Sequence, residues 1–130
     1  MGTGMAASEL KDHKYVSITS FRRNGEGVAT PVWFVTDGED VFIWTVSTSG
    51  KVKRMRRNPI VRLAPCKFDG RLMGPCFEGR ASVLRDDSDR ALDSAFRSKY
   101  GLLYRADRVL SKLSGKRRVF VKISQASAEP

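Results

Sequence analysis

The sequence predicts a mainly β protein with some α. The expected architecture is a six- to seven-stranded antiparallel split β-barrel with a short basic helix and a late helical insertion. Three observations predict it. Short runs of β-branched and aromatic residues recur at hairpin spacing up to residue 84, separated by turns rich in Gly, Asn and Asp. A helical stretch follows, and then one more strand. The 130 residues are the size of one domain with one core, and no repeat or internal boundary divides them.

Residues 1–13 read as a flexible lead-in, with a short helix at 6–11, and residues 125–130 as a tail. Between them lies a single domain, 14–124. Tyr15 to Arg22 is the first strand. Asn24-Gly25-Glu26-Gly27 is a turn. Val28 to Val35 is the second strand, with Thr30-Pro31 in its middle. Proline cannot donate to a sheet ladder, so Pro31 implies an edge, a bulge or a strand lip. Asp37-Gly38-Glu39-Asp40 is the next turn, and Val41 to Val46 the third strand. After the basic helix, Ile60 to Pro65 is the fourth strand and Phe77 to Leu84 the fifth. Asp86-Asp87-Ser88-Asp89 opens a helix with acids in its first turn, where the dipole favours them. Gly101 interrupts it. A second helix runs through Val109, Leu110 and Leu113 to Gly115, and Val119 to Ser124 is the last strand.

The basic helix is the densest signal. Five of the seven residues from Lys51 to Arg57 are Lys or Arg. Ser47, Thr48 or Ser49 can cap its start. Pro59 disfavours helical geometry at Asn58 and ends it. Val52 and Met55 share one face. Lys51, Arg54 and Asn58 flank that face on one side, Lys53 and Arg57 on the other. Free N–H groups at the start of such a helix suit an anion such as phosphate.

Composition narrows the chemistry. The net charge is +10, which favours polyanions and argues against a cationic ligand. Cys66, Cys76 and His13 are the only cysteines and histidine, and they are not at metal spacing, so no metal is expected. The cysteines read as reduced core or turn residues and His13 as a surface residue. One histidine makes no triad. No apolar run approaches a membrane span, Met1 to Ser8 lacks a signal-peptide pattern, and Ala6 stands where myristoylation wants Ser or Thr. A cytoplasmic protein without a membrane partner is expected. A nucleic-acid-binding barrel would want aromatics among its cations for base stacking, and the basic helix has none.

Taken together, several stretches resemble the split-barrel flavin/deazaflavin oxidoreductases, the pyridoxamine-phosphate-oxidase-like superfamily, and within it the small enzymes that use the deazaflavin F420. They are Thr30-Pro31-Val32-Trp33-Phe34, Asp37-Gly38, Thr45, the run from Ser49 to Pro59, Leu63-Ala64-Pro65-Cys66, Gly70, Gly74-Pro75 and Glu78-Gly79-Arg80-Ala81. Asn58 and Ile60 depart from the Asp and Arg of the common Arg-Asp-Pro-Arg-Val string, which removes a cation from the helix's end.

The resemblance implies a homodimer whose groove binds F420, or alternatively FMN, and an F420H2-dependent reductase acting on an unsaturated organic substrate. Ser49, Gly50, Lys51, Lys53, Arg54 and Arg57 would hold the phosphate. Thr30, Pro31 and Val32 would face the ring, with Thr45 beside the linker. Trp44 would wall the groove or sit in the core. Of Trp33 and Phe34, one would be core and the other at the dimer seam. Loop 67–76 and the second subunit would complete the substrate pocket. No catalytic side chain is assigned, and Glu78 is expected to pair with Arg80. The other readings are a haem- or bilin-binding barrel, a cofactor carrier without turnover, and the nucleic-acid-binding barrel.

Overall fold

The computed structural model describes residues 9–125. The expected tail beyond Gln125 and most of the lead-in lie outside them; of the helix expected at 6–11, Glu9, Leu10 and Lys11 are described, the first two helical and Lys11 in a turn. Seven strands form one antiparallel sheet: β1 (Tyr15–Phe21), β2 (Gly27–Val32), β3 (Phe34–Asp37), β4 (Asp40–Val46), β5 (Ile60–Cys66), β6 (Phe77–Val83) and β7 (Arg118–Gln125). Helix α1 (Gly50–Arg57) joins β4 to β5. Helices α2 (Arg90–Tyr100) and α3 (Leu102–Leu113) join β6 to β7.

The spatial order is β2-β1-β5-β6-β7-β4-β3. The two edges of the sheet are therefore consecutive in sequence, joined through Trp33 alone. The continuous strand expected over Val28 to Val35 is in fact divided there: its first part pairs with β1 and its second with β4. That division makes seven strands of six apolar runs and leaves the barrel split. Pro31 sits on the edge strand β2, opposite Ser17, where its missing donor costs no ladder bond on the open side.

Side chains alternate across the strands, so the sheet buries two cores. Val16, Ile18, Phe34, Val41, Ile43, Val121 and Ile123 fill the barrel, and Val52 and Met55 of α1 close it. On the outer face Val35, Trp44 and Phe120 meet Leu92, Phe96 and Tyr100 of α2 and Tyr104 of α3. Phe96 stacks on Tyr100, Tyr104 and Phe120 with ring centroids 5.9, 5.5 and 5.6 Å away.

Three local expectations change. The helix expected from Asp86 begins at Arg90, because Asp86 binds the Ser88 N–H (3.0 Å) and Asp89 caps the Leu92 N–H (3.0 Å). Glu78 makes no ion pair with Arg80; its register partner is Arg62 on β5. The second helix does run through Val109, Leu110 and Leu113, but these side chains face solvent. Cys66 is buried, Cys76 exposed, and both are free thiols. His13 is half-buried rather than fully at the surface.

Candidate functional site

Among the three hydroxyls that could cap α1, Ser49 does so, accepting from the Val52 N–H at 3.4 Å. At the other end the Asn58 N–H closes on the Arg54 carbonyl at 2.8 Å before Pro59. Val52 and Met55 are buried in the barrel, so the helix is held by one face. Its cations are thereby sent to two different places.

On one side, Arg54 Nε donates to Ser20 Oγ (2.8 Å) and Arg57 Nη2 to the Phe21 carbonyl (3.3 Å). Both lie over the end of β1. The turn after β1 brings Arg22, Arg23 and Asn24 to the same place. With Gly50 and Lys53 these residues line an open cleft of about 430 Å³. Five cations and no carboxylate line it. Arg22 also pairs with Glu26 at 3.3 Å on the exposed turn. At Gly50 an added Cβ would come 3.0 Å from Arg54 Nη1, so the glycine keeps the helix start open beside the guanidinium.

Lys51 goes the other way. Its Nζ donates to Thr45 Oγ1 at 3.2 Å, at the inner end of a second hollow of about 290 Å³. Pro31, Val32 and Trp33 form one wall of this groove and Trp44 and Thr45 the other, with Tyr15, Asp107 and Arg118 around them. Burial, then the charges of Arg54 and Arg118, push the Lys51 pKa below that of an ordinary lysine.

The groove walls are braced from behind. Trp33 stacks on Tyr100 with centroids 4.7 Å apart and rings 14° from parallel. Phe34 is the fully buried member of that pair of neighbours. Trp44 is at once core and wall: it is 4% exposed, meets Tyr104 edge-to-face at 4.8 Å, and donates from Nε1 to Asp87 Oδ2 at 3.1 Å. The Arg118 guanidinium lies 4.1 Å from its ring centroid, held by Ser111 Oγ (2.9 Å) and Asp107 (3.2 Å).

Of the residues singled out from sequence, Gly50, Lys53, Arg54 and Arg57 meet in the cleft, and Pro31, Val32, Thr45 and Lys51 in the groove. Ser49 spends its hydroxyl on the cap. Thr30 does not line the groove, although Val32 on the same face of the strand does, and its hydroxyl is buried with no partner among the described residues. Sequence reasoning missed Arg22 and Arg23, whose adjacency to a turn was the available signal. It also missed Arg118 and Asp107, which only the packing of α3 against β7 brings together.

The arrangement fits a phosphate-bearing planar cofactor. The cleft offers donors without acceptors of its own charge class, and the adjoining groove offers aromatic and apolar walls. Among the described residues, no three His, Cys, Asp or Glu side chains gather as a metal site.

A family profile described as pyridoxamine 5'-phosphate oxidase matches residues 4–126. The chain belongs to the pyridoxamine 5'-phosphate oxidase family. Solved structures agree on the split-barrel fold. The haem storage protein HutZ from Vibrio cholerae superimposes with a TM-score of 0.67 at 13% identity, covering 98% of this chain and 93% of its own. An FAD-binding protein from Mesorhizobium loti gives 0.65 at 15% identity, covering 97% and 90%. An F420 reductase gives 0.59 at 19% identity, covering 98% and 97%. At these identities the likeness speaks for the fold. No curated protein sequence matches the chain. Within this pyridoxamine 5'-phosphate oxidase fold, the groove and the cleft meet at the first turn of α1.

Proposed function

We propose that the protein is an F420-dependent oxidoreductase that reduces an unsaturated organic substrate. One observation carries the reading: an aromatic-walled groove and a cleft of five cations adjoin at the start of one helix. The tail of F420 bears a phosphodiester and several glutamate carboxylates. FMN bears one phosphate and needs less positive charge. Bound F420H2 supplies the hydride, and the protein supplies the site.

Arg54 and Arg57, already oriented by Ser20 and Phe21, bind the anionic tail with little ordering cost. Lys53 and the free N–H groups at Gly50 add to that field. Trp44, fixed by Asp87 and Tyr104, holds one side of the ring space, and Pro31 and Val32 the other. Lys51 stands between ring space and cleft, with a proton more readily given than that of an ordinary lysine. The substrate enters beside loop 67–76, where Leu72 bridges to Cys66 and Cys66 pairs with the groove residue Tyr15. Exposed Phe68, Leu72 and Met73 on this loop suit the second subunit of a homodimer. The reading is of a cytoplasmic enzyme.

The test is a fluorescence titration with F420 and, separately, FMN, at low and moderate salt. Tight F420 binding that survives moderate salt, followed by turnover of reduced F420 in a substrate screen, is the expected result. Binding of FMN alone would overturn the cofactor. Binding of neither would overturn the reading.

A further inference from the structure

Eight large apolar side chains are exposed among the described residues, and five lie on α3. Leu102 and Leu113 are each 79% exposed, Leu103 69%, Leu110 62% and Val109 56%. At 100° per residue these five and Ala106 occupy a sector of about 120°. The face turned to the protein is polar: Tyr104 and Ser111 are buried, and Asp107 and Arg108 are half-buried. Tyr104 donates to Asp93 at 2.7 Å, and Arg108 pairs with Asp87 at 3.0 Å. The helix is thus amphipathic with its apolar face outward, and Gly101, at φ 60°, is the joint that sets its direction after α2.

The rim of this face is cationic. Arg105, Lys112, Lys116 and Arg117 are exposed and take part in no salt bridge among the described residues. Asp107, the one acidic residue of α3, is paired with Arg118 on the inner side. We infer that α3 is an interfacial helix that docks the protein on an anionic lipid surface, apolar face down, with these four cations among the head groups. Charge selects this occupant. A second copy packed through the same face would set the same four cations against these, whereas an anionic surface neutralises them. The expectation of no membrane partner rested on the lack of a spanning segment, a signal-peptide pattern and a myristoylation signal. No helix among the described residues is long and apolar enough to span, and a helix lying in the surface needs no span.

The test is co-sedimentation of the full chain with vesicles of phosphatidylcholine, with or without about 30% phosphatidylglycerol, alongside light scattering of the protein alone. Wild type should partition onto the anionic vesicles at least about tenfold better than onto the neutral ones, and lose this in high salt. Leu110→Glu/Leu113→Glu and Lys112→Ser/Lys116→Ser should each lower partition about tenfold or more, with melting temperature kept because all four positions are exposed. Failure of wild type to sediment with anionic vesicles would overturn the inference. So would equal partition onto neutral ones, or wild-type partition by both variants. A dimer that becomes monomeric in Leu110→Glu/Leu113→Glu would assign the face to a second copy and overturn it too. Where the oligomeric state is unchanged, cofactor titrations of the same variants stay as in the wild type, since none of the four residues lines the groove or the cleft, which separates this test from that of the proposed activity.

Discussion

Lys51 Nζ donates to Thr45 Oγ1 across 3.2 Å, and this contact ties the basic helix to a strand of the groove. Its pKa is lowered, by burial first and then by Arg54 and Arg118. Only the charged form attracts an anion. Affinity for F420 should therefore fall as pH rises through the lowered pKa, earlier than an ordinary lysine would allow. Titrations between about pH 7 and 10 should show this alkaline fall in the wild type and a flat profile in Lys51→Met. A fall of equal size in the variant would sink the assignment.

Lys53 and Arg54 line the same cleft but differ in what else they touch. Lys53 is exposed, so Lys53→Ala should weaken F420 binding by about 1–3 kcal/mol and leave the melting temperature alone. Arg54 also satisfies Ser20, a hydroxyl-bearing residue only 1% exposed. Arg54→Ala should lose similar binding energy and, in addition, about 1–3 kcal/mol of stability from the orphaned hydroxyl. Adding Ser20→Ala should recover part of the stability and none of the binding. Denaturant melts beside titrations read both quantities.

Val52 is 1% exposed and closes the barrel. Val52→Asp buries a carboxylate there and should cost several kcal/mol, on the order of the 3–5 seen for uncompensated buried charges. Helix seating and anion binding should be lost together. A variant that melts like wild type would show that α1 is not held by this face.

Lys99 donates to the Phe34 carbonyl at 3.0 Å and lies over the Phe34 ring, 3.5 Å from its centroid. Burial, opposed by Asp12, pushes its pKa down to about 8. The unfolded chain then binds more protons than the folded one between that value and the ordinary 10.5. Stability contributed through Lys99 should rise with pH across this window. Melts of wild type minus Lys99→Met, taken up to about pH 10, should give a positive slope; a zero or negative slope would contradict the shift.

Much of this molecule is legible in its sequence where local chemistry decides. α1 is written in its Ser49 cap, its Val52–Met55 face and Pro59, and each does what its residue type implies. The turns at Gly25 and Gly38 are read the same way, both at positive φ. The break at Trp33 is not legible, because distant residues hold it. Tyr100 accepts from the Phe34 N–H, its hydroxyl faces the Phe34 and Lys14 carbonyls, and Lys99 binds the same Phe34 carbonyl, all from a helix more than sixty residues away. The orientation of α3 is hidden for another reason. Periodicity reveals that a helix has two faces but not which one the protein buries, and here Asp87, Asp93 and Arg118 claim the polar one. The cleft is half visible: its helix cations stand in one run, while Arg22 and Arg23 arrive by strand pairing.

The double duty of Trp44 has a consequence for how this chain can change. The indole that bounds the groove is set by Asp87 and Tyr104, on the far side of the sheet from the barrel core. Under the proposed function, ligand preference is thereby tied to residues that do not line the groove. Drift in the packing of the helical insertion can retune the width of the groove while every residue lining it stays the same, so kin with matching groove residues can still diverge in what they accept.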